Sequence, residues 1–538
     1  MGNKVHKPFY LPAVFFGMFL LISGAAGDDY APNLVYDELL DTYIRQLVGK
    51  HSLNLPPEYW IKPMTASVVM KFLHKADSLR QKGDLSKQEA LMLDRLKKHA
   101  SGESKLFSWY HEKQKTQVHL GLSLIGDISP FLSDSEAEFR GRGILRPEFT
   151  GSIGNFSFYS QIDVWTEARS DTVFRPSMYQ PYEGLAHNLY GRADSSHIRS
   201  SDILRGGVVY RKSFLELSTA VDYIRQGPAV FYPLTFSGNT PPITFFRASL
   251  DLSVLKYFQT VGQLRTQKDK KKFVYTHRLQ AALFDKRITI GLNEVIINGS
   301  TAEKAQTDSL HPEYYGQERD LEWIYLIPFV SYSFAEHYGG DRDNAAISFD
   351  LSVQLPYAIR MYGEMFLDDI SNPLTLFSDD FGNKWAATIG LEHFNMFKGR
   401  DIHTIIEYSR VEPWVYTHFF GGSHRYTHYG STLGAELGPN SDALMIRAEI
   451  AVHKFNTLGL QFERTRKNST ARGGNVEDVF QAGSDSVTKQ FLGEGTTKSS
   501  SIGLLWSFNP FGRFRAQSQF KYYMDGKIGL EAYGGFYF

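Results

Sequence analysis

The chain has 538 residues, long for one ordinary soluble domain unless that domain is a barrel. Lys plus Arg and Asp plus Glu both total 58, a balance that argues against a nucleic-acid partner, where a basic surplus is expected. Cysteine is absent, which excludes disulfides, Cys-ligated zinc and thiol nucleophiles. Phe, Tyr and Trp make up 14% of a chain whose mean hydropathy is −0.30, so apolar surface is carried by alternation and not by long runs.

The amino terminus reads as an export signal, residues 1–27. Lys4, His6 and Lys7 precede the apolar run Phe9 to Ile22, and small residues Ser23 to Gly27 offer cleavage after Ala26 or Gly27. The competing reading is a membrane anchor, but the run is shorter than the ~20 residues a spanning helix needs. Residues 28–110 then read as a small periplasmic helical segment. Leu39, Leu40, Ile44, Leu47 and Val48 recur at helical spacing, as do Val69, Phe72, Leu73, Ala76 and Leu79. A third helix opens on a capping box, Ser86 with Glu89, and places Ala90, Leu93, Leu96 and Ala100 on one face.

Residues 111–538 read as the barrel, and from about residue 116 to the end the period is two. Ile359, Met361, Met365 and Leu367 alternate with Arg360, Tyr362, Glu364 and Asp368. Ile347, Phe349, Leu351 and Val353 alternate with Ser348, Asp350 and Ser352, and similar stretches lie at 156–167, 217–223 and 444–452. A soluble sandwich alternates too. Long strands, tight connections such as Asp525-Gly526 set against polar loops such as 467–498, and full charges on the inward face favour a transmembrane all-β barrel of about 18 antiparallel strands. The basic run Lys268 to Lys272 reads as a solvated turn. Ile528, Leu530, Ala532, Gly534, Phe536 and Phe538 alternate up to the carboxylate. That ending resembles the terminal strand of bacterial outer-membrane proteins, whose last aromatic residue is read by the barrel-insertion machinery.

No nucleophile-elbow or paired-histidine metalloprotease motif occurs, so no catalytic residue is assigned. The richest cluster is Trp414, Tyr416, His418, His424, Arg425, Tyr426, His428 and Tyr429. Its histidines lack a carboxylate at a supporting spacing for metal, so no metal or cofactor is assigned. Aromatic planes beside Arg and His suit sugar rings and their hydroxyls; the plainer alternative is an interfacial aromatic girdle. Glu294, Arg360, Glu364, Asp368 and Asp369 read as a lumenal charge network. Glu294 shares parity with the apolar Ile288, Ile290 and Leu292, which requires a bulge or a failure of the pattern there.

Three stretches resemble the Wzi family of capsule assembly outer-membrane proteins. They are EPWVYTHFFGGSHRYTHYGSTLGAELGPNSD from Glu412 to Asp442, Leu292 to Gly299, and Asp343-Asn344 with Tyr362-Gly363-Glu364 and Asp368-Asp369. The resemblance implies periplasmic helices set against the barrel base and a non-enzymatic lectin that helps attach exported capsular polysaccharide at the cell surface. The long segment 33–105 and the insertion near 467–498 depart from it. The expected partners are a capsular or other surface polysaccharide, outer-membrane lipid and lipopolysaccharide, and the insertion machinery. A diffusion or glycan-translocation porin is the rival reading, and an outer-membrane hydrolase a third.

Overall fold

The computed structural model describes residues 33–34, 38–51, 53, 55, 57–101, 105–111, 116–133, 137–170, 197–266, 271–300, 319–453, 455–509 and 513–538. The export signal lies outside them. Among the described residues eighteen long strands close into one antiparallel barrel. The first six are β1 (Thr116–Ile128), β2 (Arg140–Ile153), β3 (Phe156–Arg169), β4 (Ile198–Lys212), β5 (Leu215–Asp222) and β6 (Ile243–Leu252). The next six are β7 (Leu255–Arg265), β8 (Lys271–Leu283), β9 (Ile288–Gly299), β10 (Asn344–Leu355), β11 (Ile359–Asp369) and β12 (Lys384–Phe397). The last are β13 (Arg400–Val411), β14 (Ser441–His453), β15 (Asn456–Lys467), β16 (Thr497–Phe508), β17 (Phe514–Tyr523) and β18 (Ile528–Tyr537).

The last strand closes on the first. Tyr537 stands opposite Ser123, and the Phe538 and Leu122 backbones exchange hydrogen bonds of 2.8 and 2.9 Å. Below that point the short strand Phe107–His111 takes over as the partner of β1. Full closure leaves no unpaired strand edge, the condition for a sheet to stand in lipid. Outward positions such as Leu145, Val164, Leu204, Ile389, Leu460 and Leu504 are exposed apolar residues that form the belt. Phe214, Phe284, Tyr357 and Phe397 are exposed beside the tight turns, in the manner of an interfacial girdle.

One end of the barrel carries tight turns, and Gly154 and Gly399, with φ of +57° and +74°, take the left-handed conformations these turns demand. The other end carries the long connections. The Asp525-Gly526 turn sits at this second end, between β17 and β18, on the same side as the 468–496 loop.

The leading segment folds into three helices, α1 (Glu38–His51), α2 (Ala66–Lys82) and α3 (Lys87–Ser101). The capping box is present: the Ser86 amide donates to Glu89 Oε2 at 2.9 Å and the Glu89 amide to Ser86 Oγ at 3.2 Å. Ile44, Leu47, Val48, Val69, Phe72, Leu73, Leu93 and Leu96 make a separate small core. The bundle is tied to the tight-turn end. Gln46 and Lys50 donate to Asp401 at 2.7 and 2.8 Å, and the Arg95 guanidinium lies 4.3 Å from the Phe455 ring. This bundle is the base of the barrel.

Candidate functional site

Inward side chains hold chain that has folded into the lumen. The connection 223–242, between β5 and β6, turns inward. Its residues Arg225-Gln226 pair with Phe236-Ser237 on one side and with Ile61-Lys62 of the leading segment on the other. A three-stranded miniature sheet therefore joins a segment entering from the long-loop end to one entering from the tight-turn end. This is the plug.

Two carboxylates hold the plug by its backbone. Glu364 accepts from the Ala229 and Leu234 amides, each at 2.8 Å. Glu407 accepts from the Val230, Phe231 and Tyr232 amides at 2.7, 3.0 and 2.7 Å, and from the Tyr362 hydroxyl at 2.6 Å. A buried carboxylate is costly unless several donors surround it, and a turn of free amides supplies them. Lower down, Glu392 is fully buried and accepts from Arg45 at 2.5 Å, Arg360 at 2.7 Å and His403 at 2.8 Å. Arg278 and Asp350 pair across β8 and β10 with both partners buried.

Above the plug the connection 412–440 folds over it. Tyr416 donates its amide to Asp368 at 2.6 Å and its hydroxyl to the Leu234 carbonyl at 2.8 Å. Its ring stacks on Tyr426, whose hydroxyl donates to the Thr235 carbonyl at 2.7 Å. Beneath these rings the inward face turns apolar: Val274, Val295, Ile297, Phe366, Ala386 and Val411 form a core inside the barrel with Leu234 and Phe236. This connection is the cap.

The eight residues singled out from sequence are all in the cap, and five are buried: Trp414, Tyr416, His424, Tyr426 and His428. Trp414 lies beneath Gly473, with Phe381 and Phe480 edge-on at 5.3 and 5.5 Å. His424 contacts Ser423 Oγ at 3.0 Å, and its carbonyl accepts from Asn344 at 2.7 Å. His428 Nδ1 accepts from the Arg265 amide at 3.1 Å. Burial, with Lys272 next in effect, pushes His428 down to about 3, and burial with His418 beside it holds His424 well below its ordinary range. His418, Arg425 and Tyr429 reach the surface in part, and Arg425 pairs with Glu477 of the 468–496 loop.

Three of the five charges read as lumenal are inside: Arg360, Glu364 and Asp368. Asp369 is not. By plain alternation it shares the outward parity of Met361, Met365 and Leu367, and it stands at the exposed rim, 3.3 Å from Lys384. Glu294 is not either. It faces outward with His277, 2.6 Å away, and the apolar parity of β9 is unbroken by any bulge. Lys272 also departs from the solvated-turn reading: it is buried and donates to the Arg425 carbonyl at 2.8 Å and Thr427 Oγ1 at 3.2 Å. Glu392 and Glu407 are not among the charges singled out from sequence, although the alternation of β12 and β13 gives both an inward parity.

A closed antiparallel wall, an apolar outer belt and a lumen filled from both ends define the class: a plugged barrel of the outer-membrane type. The fold is similar to that of Wzi from Escherichia coli, described as a carbohydrate-binding β-barrel involved in group 1 capsule assembly. The TM-score is 0.60 at 14% identity, covering 94% of this chain and 99% of that one. OccK8 (OprE) and OpdK of Pseudomonas aeruginosa match at TM-scores of 0.42, with 10% and 9% identity, covering 78% of this chain and 98% of theirs. No family model and no curated protein matches the sequence.

Proposed function

We propose that the protein sits in the outer membrane as a non-enzymatic lectin that binds an exported capsular or related surface polysaccharide and helps hold it at the cell surface. One observation carries this over the porin reading: plug and base segment meet as a hydrogen-bonded sheet inside the lumen, where a solute path would run. The Wzi-like fold supports the same choice, since that protein is described as carbohydrate-binding. In this reading the helical base is periplasmic and the cap faces outward. The polymer lies on the surface of the cap, touching His418, Arg425 and Tyr429 and the neighbouring loops 370–383 and 468–496, while the buried aromatic residues shape the floor. Several weak contacts along a repeating chain add up through avidity.

Two measurements test it. In planar bilayers the purified protein should conduct almost no ions; porin-sized steps would refute the lectin reading. Arg425→Ala combined with Tyr429→Ala should insert normally and release polysaccharide several-fold into the medium. Unchanged retention would move the site off this surface.

A further inference from the structure

The outward pair His277–Glu294 has no place in a lumenal network, and its surroundings show why it is tolerated. Residues 319–343 fold down the outer wall of the barrel over β7, β8 and β9. Tyr325 packs on Tyr275, with ring centroids 5.0 Å apart, and Phe329 packs on Tyr257 at 4.2 Å. The chain reverses at Phe329, whose φ is +64°, and climbs again through the helix α4 (Tyr332–Gly339). Glu294 accepts from Ser331 Oγ at 2.7 Å and the Tyr332 amide at 2.9 Å, and the Tyr332 ring stacks on His277 at 4.2 Å. At the top both arms are fastened by Asp343, which accepts from Arg319 at 3.1 Å and the Tyr325 hydroxyl at 2.7 Å.

The depth of this strap follows from counting along the strands. From the tight-turn end, Glu294 is the seventh residue of β9 and His277 the seventh of β8. The seventh residues of β10, β13 and β16 are Phe349, Ile406 and Ile502, all exposed members of the apolar belt. Phe329 reaches lower still, to the third residue of β7. The pair therefore stands at the level of lipid, where an uncovered carboxylate is disfavoured.

The strap's outer face continues the belt. Trp323, Ile327, Phe329, Phe334 and Tyr338 are exposed, Phe334 by 76% and Tyr338 by 91%. Its solvent-reaching carboxylates lie towards the two upper ends: Asp320 and Glu322, the latter paired with Arg319 at 2.9 Å, and Asp341, 3.9 Å from His337. Carboxylates at the rim and aromatic residues between them are the pattern of a segment dipping into a bilayer. We propose that residues 319–343 are a re-entrant strap embedded in the membrane, its outer face against lipid acyl chains and its inner face sealing the His277–Glu294 pair. This rests on the barrel spanning a membrane and not on what the cap binds.

The cysteine-free sequence makes the test clean. Single variants Phe334→Cys and Tyr338→Cys, with Ile406→Cys for the belt and Leu374→Cys for an exposed loop, are spin-labelled in phosphatidylcholine vesicles. Collision rates with oxygen and with a water-soluble nickel chelate are then compared. Labels at 334 and 338 should give an oxygen-to-nickel ratio matching 406 and several-fold above 374. A ratio matching 374 would overturn the strap, and dipolar broadening between identical labels would assign the face to a second copy instead. Should Phe334→Cys fail to insert, Tyr338→Cys decides alone. A water-like ratio at 406 would instead sink the membrane-spanning reading.

Discussion

The two ends of the barrel are closed by different chemistry. The base is fastened by charge meeting charge: Arg45 and Arg360 on Glu392, Lys50 on Glu89 at 2.7 Å and Asp401 at 2.8 Å, and Lys62 on Asp41 at 3.2 Å. The cap has ion pairs too, Arg425 on Glu477 and Lys489 on Glu412 at 3.0 Å, but cap and plug add what the base lacks: carboxylates receiving runs of backbone amides, stacked tyrosines, and histidines whose burial favours the neutral form. An ion pair ties one side chain to another and depends on both ionising. An amide cradle ties a side chain to a backbone shape, which any sequence of suitable size can adopt. The ends should therefore fail under different stresses.

The largest effect is expected from Glu392→Ala. It strands Arg45, Arg360 and His403 in a buried site, and loss of one partner of a buried ionic cluster costs about 3–5 kcal/mol. Hydrogen exchange in α1 should rise by the corresponding factor while amides 416–435 keep their protection. Equal loosening of both ends would erase the distinction. Glu407→Ala comes next. It leaves three plug amides and the Tyr362 hydroxyl without their acceptor, at a cost of about 2 kcal/mol once water replaces part of the loss. Exchange should accelerate in 228–234, with brief conductance events in planar bilayers and α1 unaffected.

The mildest stress separates the ends by pH. His428 has a folded-state pKa pushed below the unfolded value of about 6.5, so the unfolded cap binds a proton that the folded cap refuses. Its neutral form keeps the cap intact above pH 6.5. Stability is lost as pH falls from there towards 3, at up to about 1.4 kcal/mol per unit for each such histidine, His424 adding in the same direction. Glu89 in the base is held below the carboxylate range. Burial opposes this, but His51, Lys50 and Ser86 outweigh it. Its contribution persists down to the unfolded carboxylate range near 4.3 and is lost only below that. Limited proteolysis at pH 5 should cut the cap and spare the helices; the reverse order would contradict the comparison.

The fold was legible because both of its periods are simple. Alternation gave β10, β11, β14 and β18 nearly to their ends, and helical spacing gave α1 to α3, down to the Ser86–Glu89 box. The site was legible in place but not in orientation. Trp414, Tyr426 and His428 look like a surface because they lie in a connection, and connections are usually wet. Here the connection has a lumen to fill, and no local pattern announces that. Glu294 shows the opposite case. Its outward parity is plain in the alternation of β9, but the group that shields it lies dozens of residues on in a stretch without strand character. The partners of Glu364 and Glu407 were invisible for a third reason: they are backbone amides, which every residue owns.

The miniature sheet of residues 61–62, 225–226 and 236–237 also imposes an order in time. Its outer strand belongs to the part of the chain made before any wall strand, yet it finishes inside a cylinder whose seam is drawn by the final residues, at Leu122 and Phe538. Either the leading segment already lies in the trough of an unclosed sheet when β18 meets β1, or it enters afterwards through the tight-turn end. In the first case the protein zips shut around its own beginning. In the second, a finished and temporarily hollow barrel precedes the sealed one.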